Sequence, residues 1–109
     1  MKPARLRPLA EEDLVAAARH CAQEGGVALG ERMFEAALAA LKPIRRMPAM
    51  GSPRLGPRLG QLCEIPGLRS WRVTAFPMQW LYFEAEDHLD VVRLLGDRQD
   101  IAAILTAQD

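Results

Sequence analysis

The spacing of apolar residues over the first 41 positions predicts a short strand followed by two helices. Residues 5–9 are expected to form the strand, with Pro8 at a sheet edge because proline cannot donate a ladder hydrogen bond. The first helix is expected to begin near Ala10, and its inner face carries apolar residues at helical spacing: Leu14, Ala17, Ala18 and Cys21. Gly25 and Gly26 should end it, since glycine adopts the left-handed cap without steric cost.

A second helix is predicted over residues 27–41, with Pro43 stopping it. Its apolar stripe consists of Met33, Phe34, Ala37, Leu38 and Leu41. The glycine pair between the two helices is typical of an antiparallel helix hairpin. Residues 43–67 contain five prolines and four glycines, which predicts an irregular connection.

From residue 68 the apolar period changes to two, which indicates strands. Strands are expected over residues 68–76, 79–85 and 89–96, with a tight turn at residues 86–88. In the last strand the alternation places Leu89, Val91, Arg93 and Leu95 on one face and Val92 and Leu94 on the other. A short helix capped by Asp100 should follow over residues 101–105.

The predicted fold class is therefore α+β in one domain, residues 1–109. It has an N-terminal strand, a helix hairpin, a three-stranded antiparallel meander and a short C-terminal helix. Together the strands would form a sheet of about four strands, within the usual range for a small domain.

Both faces of the predicted meander are apolar, although an exposed face of an antiparallel sheet is normally polar. Either the C-terminal segment and the loop fold over the second face, or a partner protein covers it. We favour the partner, because the predicted helices are too few to bury both faces. The candidate contacts for such a partner are Trp71, Trp80, Tyr82, Val92 and Leu94.

Composition indicates a globular chain that stays in the cytoplasm. Half of the residues are hydrophobic and 26% are charged, and no apolar run approaches the length of a membrane span. The N-terminal positive charges precede no apolar segment, and Glu11, Glu12 and Asp13 follow too soon for a signal peptide. Cys21 and Cys63 should then stay reduced. The two cysteines and two histidines have no ligand spacing, so we expect no metal and no cofactor.

Charge is balanced overall but uneven along the chain. The zero net charge argues against direct DNA binding by this chain alone. Residues 42–72 carry seven basic residues and one acidic, whereas residues 73–109 carry two basic and seven acidic. The basic middle could form a face for acidic partners or a solvated loop, and the sequence leaves both open.

Several segments together resemble the ParE-like branch of the RelE/ParE toxin superfamily. They are Ala-Glu-Glu-Asp-Leu at 10–14, Pro-Ala-Met-Gly at 48–51, Pro-Gly-Leu-Arg-Ser-Trp-Arg-Val at 66–73, Phe-Pro at 76–77, Leu-Tyr-Phe at 81–83 and Asp-Val-Val-Arg-Leu-Leu-Gly-Asp-Arg-Gln-Asp-Ile at 90–101. The resemblance implies a toxin of a type II toxin–antitoxin system, often called a plasmid stabilisation protein. In that superfamily ParE members poison DNA gyrase, RelE members cleave messenger RNA on the ribosome, and wrapping antitoxins neutralise both.

The two branches make different chemical demands. Cleaving RNA without metal needs a base, an acid and cations near the phosphate. The lysines, Lys2 and Lys42, lie outside the predicted sheet, and Tyr82 is expected to pack among apolar neighbours. His20 and His88 are expected to be solvated, so no catalytic residue is assigned. We favour growth arrest by gyrase binding, with a RelE-type endoribonuclease or an inactive, antitoxin-binding relative as alternatives.

Four arginines near the sheet are the candidates for binding a target: Arg69, Arg72, Arg93 and Arg98. Their structural alternative is a set of ion pairs, Arg93 with Asp90 or Asp97 and Arg98 with Asp100.

The resemblance implies a ParD-like antitoxin as partner. It should be short and acidic, contain a ribbon–helix–helix domain and be encoded by the reading frame just upstream. Toxin and antitoxin should form a hetero-oligomer whose stoichiometry the sequence leaves open. Where many ParE-like chains carry a histidine, this one has Leu95-Gly96-Asp97.

Overall fold

The computed structural model describes residues 1–53, 65 and 67–106. Its elements are β1 (Ala4–Leu6), α1 (Pro8–Gly25), α2 (Val27–Arg46), a 3-10 turn (Pro48–Met50), β2 (Arg69–Arg72), β3 (Met78–Glu84), β4 (Leu89–Gly96) and α3 (Ile101–Thr106). The described strands form a sheet in the order β1-β4-β3-β2, with β1 parallel to β4 and the other pairs antiparallel. The predicted α+β class is confirmed. Most of the predicted irregular connection, residues 54–64 with Cys63, lies outside the described residues.

The start of α1 differs from the prediction, because Pro8 is its first residue and does not belong to a strand. The Arg7 N–H still donates to the Val91 carbonyl of β4 (2.9 Å), and the chain leaves the sheet directly afterwards. Proline suits the first helical position because its φ is preset and its missing N–H would have no helical partner there. The predicted glycine stop is confirmed, since Gly26 has φ 96° and donates to the Ala22 carbonyl.

Helix α2 continues through Pro43 to Arg46, so the predicted stop at Pro43 is wrong. A proline inside a helix removes one hydrogen bond, and tertiary contacts of the last turn offset that loss. Ile44 is fully buried. The Arg45 carbonyl accepts the Lys2 N–H (3.1 Å), and Arg45 Nε donates to the Lys2 carbonyl (3.0 Å). The start of the chain therefore holds the end of α2 in place.

The buried face of α2 is rotated relative to the predicted stripe. Its buried residues are Gly30, Met33, Ala37, Leu41 and Ile44. Phe34 and Leu38, predicted to be inside, are 37% and 43% exposed. Part of the apolar surface of the hairpin therefore faces solvent.

Strand β4 has the predicted bounds, but its faces do not alternate throughout. Two successive residues of β3, Leu81 and Tyr82, pair with Arg93 and Val91, which leaves Val92 as an extra residue. Such a bulge changes the alternation that follows it, so the predicted uniform alternation is wrong. The β4 residues that belong to the core beneath the helices are Leu89, Val91 and Leu94.

The remaining boundaries shift slightly from their predicted positions. Strand β2 is shorter than predicted because the chain turns after it: the Val73 N–H donates to the Met78 carbonyl, and Ala75 has a positive φ of 71°. Strand β3 begins and ends one position earlier than predicted. The Asp100 cap on α3 is confirmed, since its Oδ1 accepts the Ala103 N–H at 3.1 Å.

Apolar side chains pack on both faces of the sheet. One cluster joins the sheet to α1 and α2 and contains, among others, Leu14, Met33, Leu41, Trp80 and Tyr82. The cluster on the other face consists of Leu68, Leu81, Val92, Leu95 and Leu105, with Ile65, Phe83, Ile101 and Ile104 beside it. Helix α3 therefore covers this second face, and the predicted need for a partner there is wrong.

Candidate functional site

The residues proposed as partner contacts are mostly buried in the chain's own core. Trp80 and Tyr82 are fully buried, Val92 and Leu94 are at most 4% exposed, and Trp71 is half-buried. Trp80 Nε1 also donates to the Ala37 carbonyl at 2.8 Å, which ties β3 to α2. The interpretation of this group as an exposed face is wrong for the described conformation. Substituting Trp80 or Leu94 would first test the stability of the fold.

Tyr82 anchors the turn that follows α2. Its hydroxyl donates to the Pro48 carbonyl (2.6 Å) and accepts the Gly51 N–H (2.9 Å). Burial, as the largest cause, raises the pKa of Tyr82 above its ordinary value of 10.0. A buried phenol with both hydrogen bonds satisfied is poorly placed to exchange protons with a substrate.

We expect Tyr82 to make the fold sensitive to alkali. Because its pKa is raised, the folded state favours the protonated phenol, and this stabilisation is lost as pH rises through the folded pKa. Tyr82 is the chain's only tyrosine, so tyrosinate absorbance should appear together with unfolding. In Tyr82→Phe the free energy of unfolding should depend less on pH in this range. If the Tyr82 phenol loses its proton at the ordinary pKa of tyrosine while the circular dichroism stays native, this expectation is contradicted.

Two of the candidate arginines lie on β2 but hold different partners. Arg69 Nη1 donates to the carbonyls of Gly51 (2.8 Å) and Ala49 (3.2 Å), so it supports the same turn as Tyr82. Arg72 forms a two-bonded, exposed pair with Asp97, with nitrogen–oxygen distances of 2.7 and 3.0 Å. Hydrogen bonding to Asp97 raises the pKa of Arg72.

Arg93 is held by a carboxylate on α1. Its Nε lies 2.6 Å from Asp13 Oδ2 and its Nη2 lies 2.9 Å from Asp13 Oδ1, while Oδ2 also accepts the Leu94 N–H. The hydrogen bond to Asp13 raises the pKa of Arg93. The expected pairs with Asp90 or Asp97 are wrong, because Asp90 binds Arg7 and Asp97 binds Arg72.

The candidate arginines therefore do not form one cationic cluster. Arg98 is exposed, and within the described residues it forms no ion pair with Asp100 or with any other carboxylate. The other three are each engaged at a separate place. Sequence reasoning missed Asp13 as a partner because it stands 80 positions from Arg93, and no local pattern marks that contact.

The two histidines lie on other elements than the four candidate arginines. His88 Nδ1 lies 2.7 Å from Asp87 Oδ1 in the turn between β3 and β4, and this hydrogen bond lowers the pKa of Asp87. His20 is exposed on α1.

Across residues 1–53, 65 and 67–106 there is no cluster of His, Cys, Asp and Glu that could hold a metal. Cys21 is a free, half-buried thiol. Within the same residues, none of the helices has both the length and the apolar character of a membrane span.

Two open grooves are lined by five of the eight large apolar residues that are exposed among the described residues. The hairpin groove, about 430 Å³, lies between α1 and α2 and is lined by Val15, Arg19, Val27, Gly30, Glu31 and Phe34 with their neighbours. The methionine groove, about 440 Å³, lies at the end of α2 and is lined by Ala39, Lys42, Pro43, Arg46, Met47 and Met50. Val27 and Met47 are 70% and 61% exposed. The sequence did not predict either groove, because the predicted α2 ends before Pro43 and all of its apolar stripe was expected to be buried.

Comparison with known proteins agrees with this architecture. The family model described as "ParE toxin of type II toxin-antitoxin system, parDE" matches residues 4–101. A solved structure described as "Chromosomal ParDE TA system from P. aeruginosa" is similar in fold, with a TM-score of 0.71 and 18% identity over 88% of this chain and 96% of that one. No curated protein matches the chain significantly. Because the family model spans nearly the whole chain, this protein belongs to the ParE toxin family of type II toxin–antitoxin systems.

Proposed function

We propose that this ParE toxin arrests growth by binding DNA gyrase, without catalysis, and that a ParD-like antitoxin neutralises it in the cytoplasm. The main support is the state of the groups that an RNA-cleaving site would need. Tyr82 is buried with its hydroxyl bonded to the Pro48 carbonyl and the Gly51 N–H. Arg72 and Arg93 are each committed to a carboxylate.

RNA cleavage without metal would demand more than cations. A base must take the 2′-hydroxyl proton and an acid must protonate the leaving oxygen, both within hydrogen-bond reach of the same phosphate. Among the described residues, His88 is bonded to Asp87 in the turn between β3 and β4, and exposed His20 lies on α1, whereas Arg69 and Arg72 lie on β2. A toxin that acts through binding does not need such an arrangement, so gyrase binding is favoured over a RelE-type ribonuclease.

Expression of the chain without antitoxin separates the alternatives. The proposal predicts growth arrest with DNA-damage signalling and intact messenger RNA. Arrest with cleavage of translated messages would instead support the ribonuclease. Normal growth with soluble, folded protein would support an inactive relative that binds only antitoxin.

We also propose that the antitoxin binds the hairpin groove. Val15, Val27 and Phe34 expose apolar surface there, and charges of both signs, Arg19 and Glu31, border it. An amphipathic helix can dock its apolar face in a groove of this kind. Of the contacts expected from the sequence, half-buried Trp71 stays a candidate, while the buried ones are accessible only if the fold opens.

Phe34→Glu should weaken antitoxin binding at least about tenfold, because it places an unpaired charge inside an apolar interface. The matched control is Met50→Glu, which adds the same charge to the other groove. Calorimetric titration with the purified antitoxin measures both variants, and circular dichroism checks that they are folded. Equal affinities for wild type and a folded Phe34→Glu variant would remove the hairpin groove from the interface.

A further inference from the structure

The methionine groove is built on a rigid support. The turn that carries Met50 is held by the buried side chain of Tyr82, whose hydroxyl donates to the Pro48 carbonyl and accepts the Gly51 N–H. Arg69 adds bonds to the carbonyls of Ala49 and Gly51. The Met50 N–H donates to the Met47 carbonyl at 3.0 Å. Because its backbone is already fixed, a partner would order few groups on binding.

The exposed side chains of this groove are apolar and cationic. Met47 is 61% exposed and Met50 is 46% exposed, and the rim carries Lys42 and Arg46, both exposed. No carboxylate occurs among the described residues that line it. Methionine side chains adapt to the shape of a partner, and the neighbouring cations favour negative charge.

The two grooves differ in charge and share no lining residue. The hairpin groove is lined by two acidic residues and one basic residue, Glu31, Glu35 and Arg19, so its charge is mixed, whereas Lys42 and Arg46 make the methionine groove uniformly basic. A bound antitoxin in the hairpin groove would leave a second surface of different chemistry. The exposed methionines are suited to apolar side chains of a protein more than to a phosphate backbone.

We propose that the methionine groove is the target-recognition surface, and that it binds an acidic segment of the target protein that inserts an apolar side chain between Met47 and Met50. The proposal rests on the proposed function, because it requires that the toxin acts by binding a protein. Lys42 and Arg46 would attract the carboxylates of that segment, and the two methionines would provide the apolar contact.

The test reverses the charge of the rim. Lys42→Glu combined with Arg46→Glu should raise the toxin concentration for half-inhibition of gyrase supercoiling about tenfold or more, and should relieve growth arrest. Inhibition by wild type should also weaken as salt rises, and less so in the variant. The matched control, Arg5→Glu with Arg32→Glu, reverses two exposed charges elsewhere and should stay within about twofold, as expected for charges outside an interface. Met47→Ala with Met50→Ala should lose inhibition without a change of charge.

Each outcome bears on the proposal. A folded Lys42→Glu, Arg46→Glu variant with wild-type growth arrest would overturn it, whether or not that variant still binds antitoxin. If wild type arrests growth without inhibiting gyrase, the gyrase proposal fails. The growth assay of the variants alone then shows whether the methionine groove binds the target. A folded wild-type chain that arrests nothing would overturn both proposals.

Discussion

Replacing Asp13 by alanine should lower the free energy of unfolding by about 3 kcal/mol, as expected when one partner of a mostly buried ion pair is removed. Asp13 accepts two hydrogen bonds from Arg93 and one from the Leu94 N–H, and the two charged side chains are only 16% and 13% exposed. Without the carboxylate, Arg93 would keep its charge beneath α1 and lose its partner. An arginine cannot relieve this by losing a proton near neutral pH.

The exposed pair provides the matched control. Asp97→Ala removes the carboxylate that binds Arg72, whose side chain is 62% exposed, and should cost far less stability than Asp13→Ala. Urea unfolding at neutral pH measures both variants in the same buffer. Equal losses of stability would show that the Asp13–Arg93 contact does not join α1 to β4 in solution.

Gly51→Ala should destabilise the fold by about 2–3 kcal/mol, the cost of overfilling a packed site. A Cβ at Gly51 would overlap the Tyr82 hydroxyl and would lie 2.7 Å from both Cε1 and Cζ of that ring. Tyr82 cannot withdraw, because it is fully buried and bonded to the Pro48 carbonyl. The φ of Gly51 is −63°, which alanine adopts readily, so the expected effect is a clash and not backbone strain.

Gly96→Ala is the control for Gly51, since its Cβ would meet the flexible end of Gln99 at 3.4 Å and should cost little. A double-mutant cycle with Tyr82→Phe tests the mechanism further. Gly51→Ala should cost less in the Tyr82→Phe background, because one of the overlapping atoms is gone. An equal cost in both backgrounds would contradict the proposed overlap with the hydroxyl.

The sequence predicted those parts of the fold that local signals control. The period-two pattern gave the bounds of β4, Gly26 marked the turn of the hairpin, and Asp100 marked the cap of α3. The predicted end of α2 at Pro43 is wrong because the burial of Ile44 overrides the local preference of proline to end a helix. The bulge at Val92 depends on how β4 pairs with β3, which no pattern within β4 reveals.

The site was harder to predict than the fold, because its contacts join distant positions. Family likeness singled out Pro-Ala-Met-Gly at 48–51, but only the fold shows that Gly51 and Pro48 bind Tyr82. The pair of Asp13 and Arg93 likewise connects the first helix to the last strand. Exposed apolar residues on α2 appeared as core because helical spacing alone cannot say which way a stripe faces.

The most direct test of a toxin that binds and does not cut uses purified chain in two assays side by side: gyrase supercoiling, and translation with intact messenger RNA as the readout. We predict inhibited supercoiling together with uncut messages. Messages cut in a ribosome-dependent manner, with supercoiling untouched, would contradict the account.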